Sequence, residues 1–348
     1  MEIKRMHGAQ NTKVVFLLVI GLGFFQGCGQ ERSELTAPSS LEEVFEIADE
    51  ADNIRSFILM REGEILKEKY YASYKRDSLD HLRSATKSVM ANLIGIAIDQ
   101  QFIGSVDDPI ADYIQVPADK KGVLIKHLLG MTSGFRWDEG AGYNDNNRMV
   151  KSGNPFQFMM DLPMTNEPGV QWNYSTGDIH LLSAILTEAT GMSTETFAKK
   201  NLFDPLAITN WEWQKFGDGY YSGGSRLQMK PRDLLKLGKL MADQGEYNGQ
   251  QVHSLEMQDL LTGVHTVFED TVGTKAGYGY GWWTASIGDD RIFMASGYGG
   301  QTIIVAPDVK MVLVTTFNWR VGSDLALKQQ QLGQDMGKMA WLWMREND

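Results

Sequence analysis

Two residues three positions apart, Ser84 and Lys87, have the types and spacing of a nucleophile and its base. They open an apolar pattern that predicts a helix from about Ser84 to Asp99. Residues three apart share a helix face, and the unpaired N–H groups of the first turn favour a developing alkoxide. Lysine can accept the serine proton only if burial lowers its pKa. Taken alone, the pair is more typical of a helix cap followed by a surface lysine.

A second segment with chemical potential is Pro168–Gly177, of sequence PGVQWNYSTG. It precedes another apolar helical pattern, so Tyr174 stands at a turn ahead of a buried helix. From such a turn a tyrosine hydroxyl can point into a cleft and relay a proton to a leaving group. The alternative is a packing tyrosine with a satisfied hydroxyl.

The third segment, Ala295–Gln301, has the sequence ASGYGGQ and lies between two strand patterns. Its glycines allow a substrate to approach the backbone closely. An edge strand here could supply one N–H of an oxyanion hole, with the other coming from Ser84. The candidate substrate-binding residues are Ser296, Gly297 and Tyr298. As a bare string the segment is also typical of a glycine-rich hairpin.

The elements that must position these residues follow from the hydrophobic patterns. The strand-like runs Ser56–Arg61 and Ile65–Tyr71 predict a hairpin. Amphipathic patterns predict a helix over 40–51 and a last helix over 324–345. Further short helices are predicted at Ile125–Leu129, Pro155–Leu162, Ile179–Thr190 and Pro231–Asp243, and further strands at Tyr278–Ala285, Arg291–Ala295, Thr302–Ala306 and Met311–Phe317.

Strands therefore lie at both ends of the chain, with a mostly helical block between them. This order predicts an α+β fold: an antiparallel sheet built from both ends, flanked by helices, with an inserted helical subdomain. The predicted parts are a sheet domain formed by 41–102 and 236–348 and a helical subdomain at 103–235.

The three segments in this order resemble the serine β-lactamase and penicillin-binding superfamily, above all class C β-lactamase-like esterases and 6-aminohexanoate-dimer hydrolases. The resemblance covers residues 54–345 and includes supporting segments: Ile125–Gly134, Gly223–Leu227, Pro231–Leu234 and Tyr278–Trp283.

The resemblance implies a β-lactamase/transpeptidase-like fold and an acyl-enzyme on Ser84. It implies that Lys87 takes the serine proton and Tyr174 passes it to the leaving group. The N–H groups of Ser84 and Tyr298 would hold the oxyanion, and water would release the acid. No metal or cofactor is expected.

Two departures from the family pattern bear on the substrate. Thr176 stands where lactamases carry the asparagine of Tyr-x-Asn, and Ala295-Ser296-Gly297 replaces Lys-Thr-Gly or His-x-Gly. Without a cation at Ala295, anchoring of a penicillin carboxylate is disfavoured, unless a cation elsewhere substitutes. We therefore expect an esterase or amidase acting on a small molecule, with a β-lactamase or DD-peptidase as the alternative.

Other classes of function find less support. No G-x-S-x-G elbow is present, and the histidines lack metal-ligand spacing. His127 is expected to pack in an apolar pattern. The adjacent Asp138 and Glu139 are expected in a solvated loop, which the resemblance would put near the cleft. A non-catalytic binding module of the same fold remains an alternative, although it would not need Ser84, Lys87 and Tyr174 together.

The N-terminus and the composition predict the location and exclude one class of partner. Cations precede an apolar run from Val14 to Phe25, followed by Gly27 and Cys28, the only cysteine. This is typical of a secretory, lipoprotein-type signal over 1–28, with a lipid anchor at Cys28 and a tether over 29–40. We expect a periplasmic or outer-membrane lipoprotein exported across the inner membrane. A net charge of −11 without basic blocks argues against nucleic acid. The oligomeric state stays open.

Overall fold

The computed structural model describes residues 37–140, 144–271, 274–287 and 289–347, with backbone alone for 269–271 and 274. The predicted signal, Cys28 and most of the predicted tether lie outside these residues. Within them, no helix is long and apolar enough to cross a membrane.

The strands alternate in sequence with turns and helices. Their bounds are β1 Ile54–Arg61, β2 Glu64–Tyr70, β3 Asp80–His81, β4 Trp211–Trp213, β5 Leu227–Met229, β6 Glu246–Tyr247, β7 Gln250–Gln251, β8 Thr266–Thr271, β9 Thr274–Tyr278, β10 Trp283–Ile287, β11 Asp290–Gly297, β12 Gln301–Ala306 and β13 Met311–Phe317.

An eight-stranded sheet with antiparallel pairings has the order β2-β1-β13-β12-β11-β10-β9-β8. The N-terminal hairpin β1–β2 thus joins the C-terminal strands through β13. Smaller sheets contain β3, β5 and β4 in one case, and β6 and β7 in the other. The sheet built from both ends of the chain is the one that the sequence predicted.

The helices occupy both sides of the main sheet. Their bounds are α1 Leu41–Glu50, α2 Thr86–Asp99, α3 Ile125–Leu129, α4 Asp145–Lys151, α5 Pro155–Asp161, α6 Thr176–Thr190, α7 Thr194–Ala198, α8 Pro231–Ala242, α9 Leu255–Thr262 and α10 Ser323–Glu346. The predicted domain boundary at residue 235 falls inside α8, and the division into subdomains stays a prediction.

Both faces of the sheet are buried because the apolar residues of its central strands do not alternate with polar ones. In β1, Phe57 and Leu59 pack into the core under α1 and α10, while Ile58 and Met60 belong to the larger core on the other face. Successive strand residues point to opposite faces, so a continuous apolar run must be covered twice. The terminal helices α1 and α10 cover one face, and α2 and α8 contact the other.

Helix α2 is the element that carries the site, and it lies inside the molecule. The sequence predicted a helix with an apolar pattern here, and every residue from Thr86 to Ala97 is buried. Its neighbours include α6 and α9 as well as β11, so it is enclosed from several directions. The predicted strand Tyr278–Ala285 is wrong in its continuity: a turn closed by Gly279 N–H donating to Trp282 O at 2.8 Å separates β9 from β10.

Candidate active site

Ser84 lies in a 3-10 turn, Arg83–Ala85, that runs directly into α2. Arg83 adopts a left-handed backbone with φ 53°, and its carbonyl accepts a hydrogen bond from Thr86 Oγ1 at 2.7 Å. The chain thus turns sharply just before the serine. Ser84 remains partly exposed, whereas the following residues are buried. A hydroxyl in this position, at the start of a buried helix, is accessible to a substrate, while the side chains that follow it are shielded from water.

Lys87 is buried, with 2% of its surface exposed, and its Nζ lies near three oxygen atoms. It donates to Thr176 Oγ1 at 2.9 Å, to Gly224 O at 2.9 Å and to Ser84 Oγ at 3.1 Å. Threonine and carbonyl oxygens fix two of the three positions around the nitrogen. The third position faces the serine. In neutral lysine that position can hold the lone pair, which is the arrangement a base needs.

The protonation of Lys87 is shifted toward the form that a base requires. Burial lowers its pKa to about 8, even though the nearby Glu139 carboxylate raises it. The Arg83 guanidinium adds a smaller lowering. An ammonium loses more hydration energy than an amine when it is buried, so enclosure within the helical block favours proton loss.

Gly224 reaches Lys87 because the chain packs very closely onto the start of α6. A Cβ atom at Gly224 would lie 2.8 Å from the Thr176 carbonyl oxygen. Only glycine permits that approach without a shift of the backbone. In the sequence, Gly223–Leu227 only supported the resemblance to the β-lactamase superfamily, and no chemical role was predicted for it.

The carboxylate of Glu139 is joined to Lys87 through Thr176, and it is less exposed than the sequence predicted. Glu139 accepts the hydroxyl of Thr176 at 2.6 Å and its backbone N–H at 3.0 Å, and it also accepts Trp137 Nε1 at 2.6 Å. It was expected in a solvated loop; it is instead half-buried and bonded to the N-terminus of α6. Thr176, expected only as a departure from the family pattern, joins this carboxylate to Lys87.

Tyr174 lies beside the same lysine. Lys87 Nζ is 4.9 Å from the centroid of its ring. Burial raises the pKa of the Tyr174 phenol above its ordinary value, Glu139 raises it further, and a hydrogen bond with Ser84 acts in the opposite direction. The phenol is therefore protonated at neutral pH. It can donate or relay a proton, while the base is better supplied by Lys87.

The glycine-rich segment also lies against the serine turn. A Cβ on Gly297 would lie 2.1 Å from the Leu82 carbonyl oxygen, so β11 approaches this turn at a distance that only glycine allows. Ser296 is buried, and its Oγ accepts Gln330 Nε2 at 3.4 Å. The ring of Tyr298 is 5.7 Å from the Arg83 guanidinium carbon. The structure thus brings the three predicted sequence segments together.

Two backbone N–H groups at this junction are candidates for binding an oxyanion. Ser84 is the second residue of its 3-10 turn, so its N–H has no acceptor within the turn. Tyr298 follows the last residue of β11, and the backbone hydrogen bonds of the described residues include none from its N–H.

The other residues considered in the sequence have packing roles in the fold. His127 is half-buried, and its Nδ1 accepts the Leu124 N–H at 3.1 Å, as suits a packing residue. In the described part of the chain, no group of three or more His, Cys, Asp or Glu residues is arranged to hold a metal ion. Trp283 stacks on Tyr174 with 6.0 Å between ring centroids, whereas Trp282 is core.

Comparison with known proteins decides the family. A family model described as beta-lactamase matches residues 55–334. The chain belongs to the beta-lactamase family. Among curated relatives, the 6-aminohexanoate-dimer hydrolase of Paenarthrobacter ureafaciens is 25% identical over 298 residues, which are 76% of this chain and 72% of the relative.

Solved structures share the fold of this beta-lactamase family member. A Bacillus anthracis protein provisionally assigned as a 6-aminohexanoate-dimer hydrolase superposes with a TM-score of 0.74 at 17% identity, covering 89% of this chain and 83% of the other. EstCE1, described as a hydrolase with promiscuous acyltransferase activity, has a TM-score of 0.68 at 18% identity, covering 86% and 98%. The predicted α+β, β-lactamase/transpeptidase-like fold is confirmed.

Proposed function

We propose that this protein is a serine hydrolase that forms an acyl-enzyme on Ser84 from an ester or amide substrate. One observation carries the proposal: Lys87 Nζ has two of its positions occupied by Thr176 and Gly224, and the third is directed at Ser84 Oγ. The hydrolases among the relatives support the reaction class. The names of those relatives, a 6-aminohexanoate-dimer hydrolase and a hydrolase with promiscuous acyltransferase activity, fit acyl transfer through a serine.

In the acylation step, neutral Lys87 accepts the Ser84 proton as Ser84 Oγ bonds to the substrate carbonyl carbon. The carbonyl π electrons move to its oxygen, and the N–H groups of Ser84 and Tyr298 are the proposed donors to that oxyanion. Removing one such donor in other hydrolases costs about 3 kcal/mol of barrier lowering.

Collapse of the tetrahedral intermediate breaks the bond to the alcohol or amine. The proton held by Lys87 passes to that leaving group through the Tyr174 hydroxyl, which is protonated at neutral pH and therefore able to donate. Water then attacks the acyl carbon while its proton passes through the Tyr174 hydroxyl to Lys87. The bond between Ser84 Oγ and the acyl carbon breaks, Ser84 Oγ takes the proton from Lys87, and the acid is released.

The substrate preference is proposed from the residue at the family's cation position. Ala295 is fully buried in β11, so no side-chain cation extends from that point to hold a penicillin carboxylate. We therefore propose an ester or linear amide in preference to a β-lactam or a D-Ala-D-Ala end.

A fluorophosphonate probe tests the nucleophile. Wild-type protein should be labelled at Ser84, and S84A should take up no label. S152A, which removes an exposed serine, is the matched control and should label like wild type. Equal labelling of S84A would refute the assignment. Rapid turnover of a chromogenic cephalosporin, exceeding that of short-chain p-nitrophenyl esters, would instead favour the β-lactamase alternative.

A further inference from the structure

Three arginines around the serine turn have no carboxylate partner among the described residues. Arg83 directly precedes Ser84, and Arg226 lies two positions after Gly224, whose carbonyl holds Lys87. Arg320 follows the end of β13. The salt bridges of the described residues include none from these three guanidiniums, although most of the other arginines described here have a carboxylate partner.

Arg83 and Arg320 lie against one indole, and Arg226 lies two residues before Gln228, the residue of β5 that pairs with His81. The guanidinium carbons of Arg83 and Arg320 lie 4.6 Å and 5.2 Å from the centroid of the Trp319 ring. The His81 ring is 5.2 Å from the same indole. Burial lowers the His81 pKa to about 4, and Arg83, Arg226 and Arg320 each lower it further. All three cations are therefore close enough to act on the same neutral imidazole.

The neighbouring polar groups do not neutralise this charge. Asp80, the carboxylate next to His81, is bound by Arg55 Nη1 at 2.6 Å and by Thr316 Oγ1 at 2.7 Å. Arg226 donates to Gln214 Oε1, a neutral acceptor, at 2.7 Å.

Like charges held together at a partly buried site cost free energy unless an anion joins them. Burial and Arg226 lower the pKa of the Arg83 guanidinium, so the repulsion is felt there.

We infer that Arg83, Arg226 and Arg320 bind a carboxylate on the acyl part of the substrate. The acyl side is favoured because Arg83 contacts Tyr298, the proposed oxyanion residue, whereas the proposed leaving-group residue Tyr174 lies with Lys87 and Trp283. The inference rests on the proposed function for its substrate, and the binding site itself can be tested separately.

The kinetic test compares two esters of equal chain length. One is the mono-p-nitrophenyl ester of adipic acid, and the other is p-nitrophenyl hexanoate, which lacks the terminal carboxylate. We expect the wild type to prefer the anionic ester by about tenfold in kcat/KM, the effect of a charge-assisted hydrogen bond. That preference should decrease as salt is raised.

Substitutions assign the preference to the cluster. R83Q, R226Q and R320Q should each reduce the preference about fivefold, since one charged contact is removed in each case. R320K should retain most of it. R291Q is the matched control: it loses the same charge at the opposite end of β11, where Arg291 is paired with Asp259, and should change nothing.

A binding measurement needs no turnover. Calorimetric titration of S84A protein with adipate should give binding that weakens about fivefold or more in S84A/R226Q and not in S84A/R291Q. Ser84-dependent ester hydrolysis without an anionic preference would overturn this inference and leave the proposed function standing. Arginine-dependent adipate binding without hydrolysis would do the reverse, and failure of both measurements would overturn both.

Discussion

The hydroxyl of Thr176 accepts a hydrogen bond from Lys87 Nζ at 2.9 Å and donates its own proton to Glu139 Oε1 at 2.6 Å. A hydroxyl has one proton, so the bond to Glu139 directs the threonine lone pair at the lysine. The direction of the bond therefore follows from the carboxylate. A chain of contacts thus runs from Glu139 through Thr176 and Lys87 to Ser84.

The first prediction concerns the pH dependence of hydrolysis. The proposed base is neutral Lys87, and its pKa is lowered to about 8. Activity should therefore be low below pH 8, where the amine is protonated, and rise as the pH increases through that value. The logarithm of kcat/KM against pH, which reports groups in the free enzyme, should show this acidic limb.

Removal of the Lys87 amine should abolish the acidic limb of the pH profile and most of the hydrolytic activity. K87M should lower kcat/KM by about 10²–10⁴, the contribution of a positioned general base. An acidic limb centred near pH 6 in the wild type would contradict the assignment of lysine as the base.

The second prediction tests whether Glu139 controls Lys87. Its carboxylate raises the lysine pKa, so E139Q should move the acidic limb to lower pH while retaining a side chain that can accept the Thr176 hydroxyl. D138N removes a charge from the adjacent exposed residue and is the matched control. An acidic limb that moves equally in E139Q and D138N would show a general charge effect. An acidic limb that does not move in E139Q would show that Glu139 does not control the Lys87 pKa.

The sequence predicted those parts of the site whose position follows from local structure. Ser84 and Lys87 are three residues apart at a helix start, so helical spacing brings their side chains together. Tyr174 stands at a turn directly before a buried helix, which the apolar pattern also predicts. Glu139 has no such relation to its partner Thr176, which lies on another element. Its place depends on how the Trp137 loop folds onto α6.

The arginine cluster could not be predicted for the same reason. Arg83, Arg226 and Arg320 lie in three separate segments, and they meet only because β13 and the small sheet of β3 and β5 come together near the serine turn. No periodicity connects them. The fold was predictable in outline, since the order of strand and helix patterns limits the topology. The strand break between β9 and β10 was not, because the pattern of apolar residues continues through it.

The third prediction concerns Gly297. In G297A the new Cβ would lie 2.1 Å from the Leu82 carbonyl oxygen, so β11 or the serine turn must shift. We expect a loss of about 1–3 kcal/mol in the free energy of unfolding, typical of overpacking, measured by urea denaturation. Activity should fall as well, because the shift moves the proposed oxyanion residues. G122A is the control, since a Cβ there meets nothing within 4 Å. Wild-type stability and activity in G297A would contradict the close approach.

The fourth prediction tests the proposed location of the protein. If the signal is of the lipoprotein type, full-length protein expressed in a Gram-negative host should incorporate radiolabelled palmitate at Cys28 and sediment with membranes. C28A should incorporate none. S33A alters the predicted tether and leaves the cysteine intact, so it should be labelled normally. Palmitate incorporation by C28A would disprove the assignment of the anchor.

The last prediction links a buried carboxyl to stability. Asp178, in the first turn of α6, is fully buried, and burial raises its pKa to about 7, only partly offset by hydrogen bonds from Ser133 and Ser175. Its folded pKa exceeds the unfolded value of 3.8, so the neutral acid stabilises the fold fully below pH 3.8, and this contribution is lost as the pH rises through 7.

D178N cannot titrate. Relative to wild type it should therefore gain on the order of 2 kcal/mol between pH 5 and pH 8 in urea denaturation. D161N, at an exposed aspartate, should show no such gain. A constant difference between D178N and wild type across this range would mean that Asp178 is ionised in the folded protein throughout.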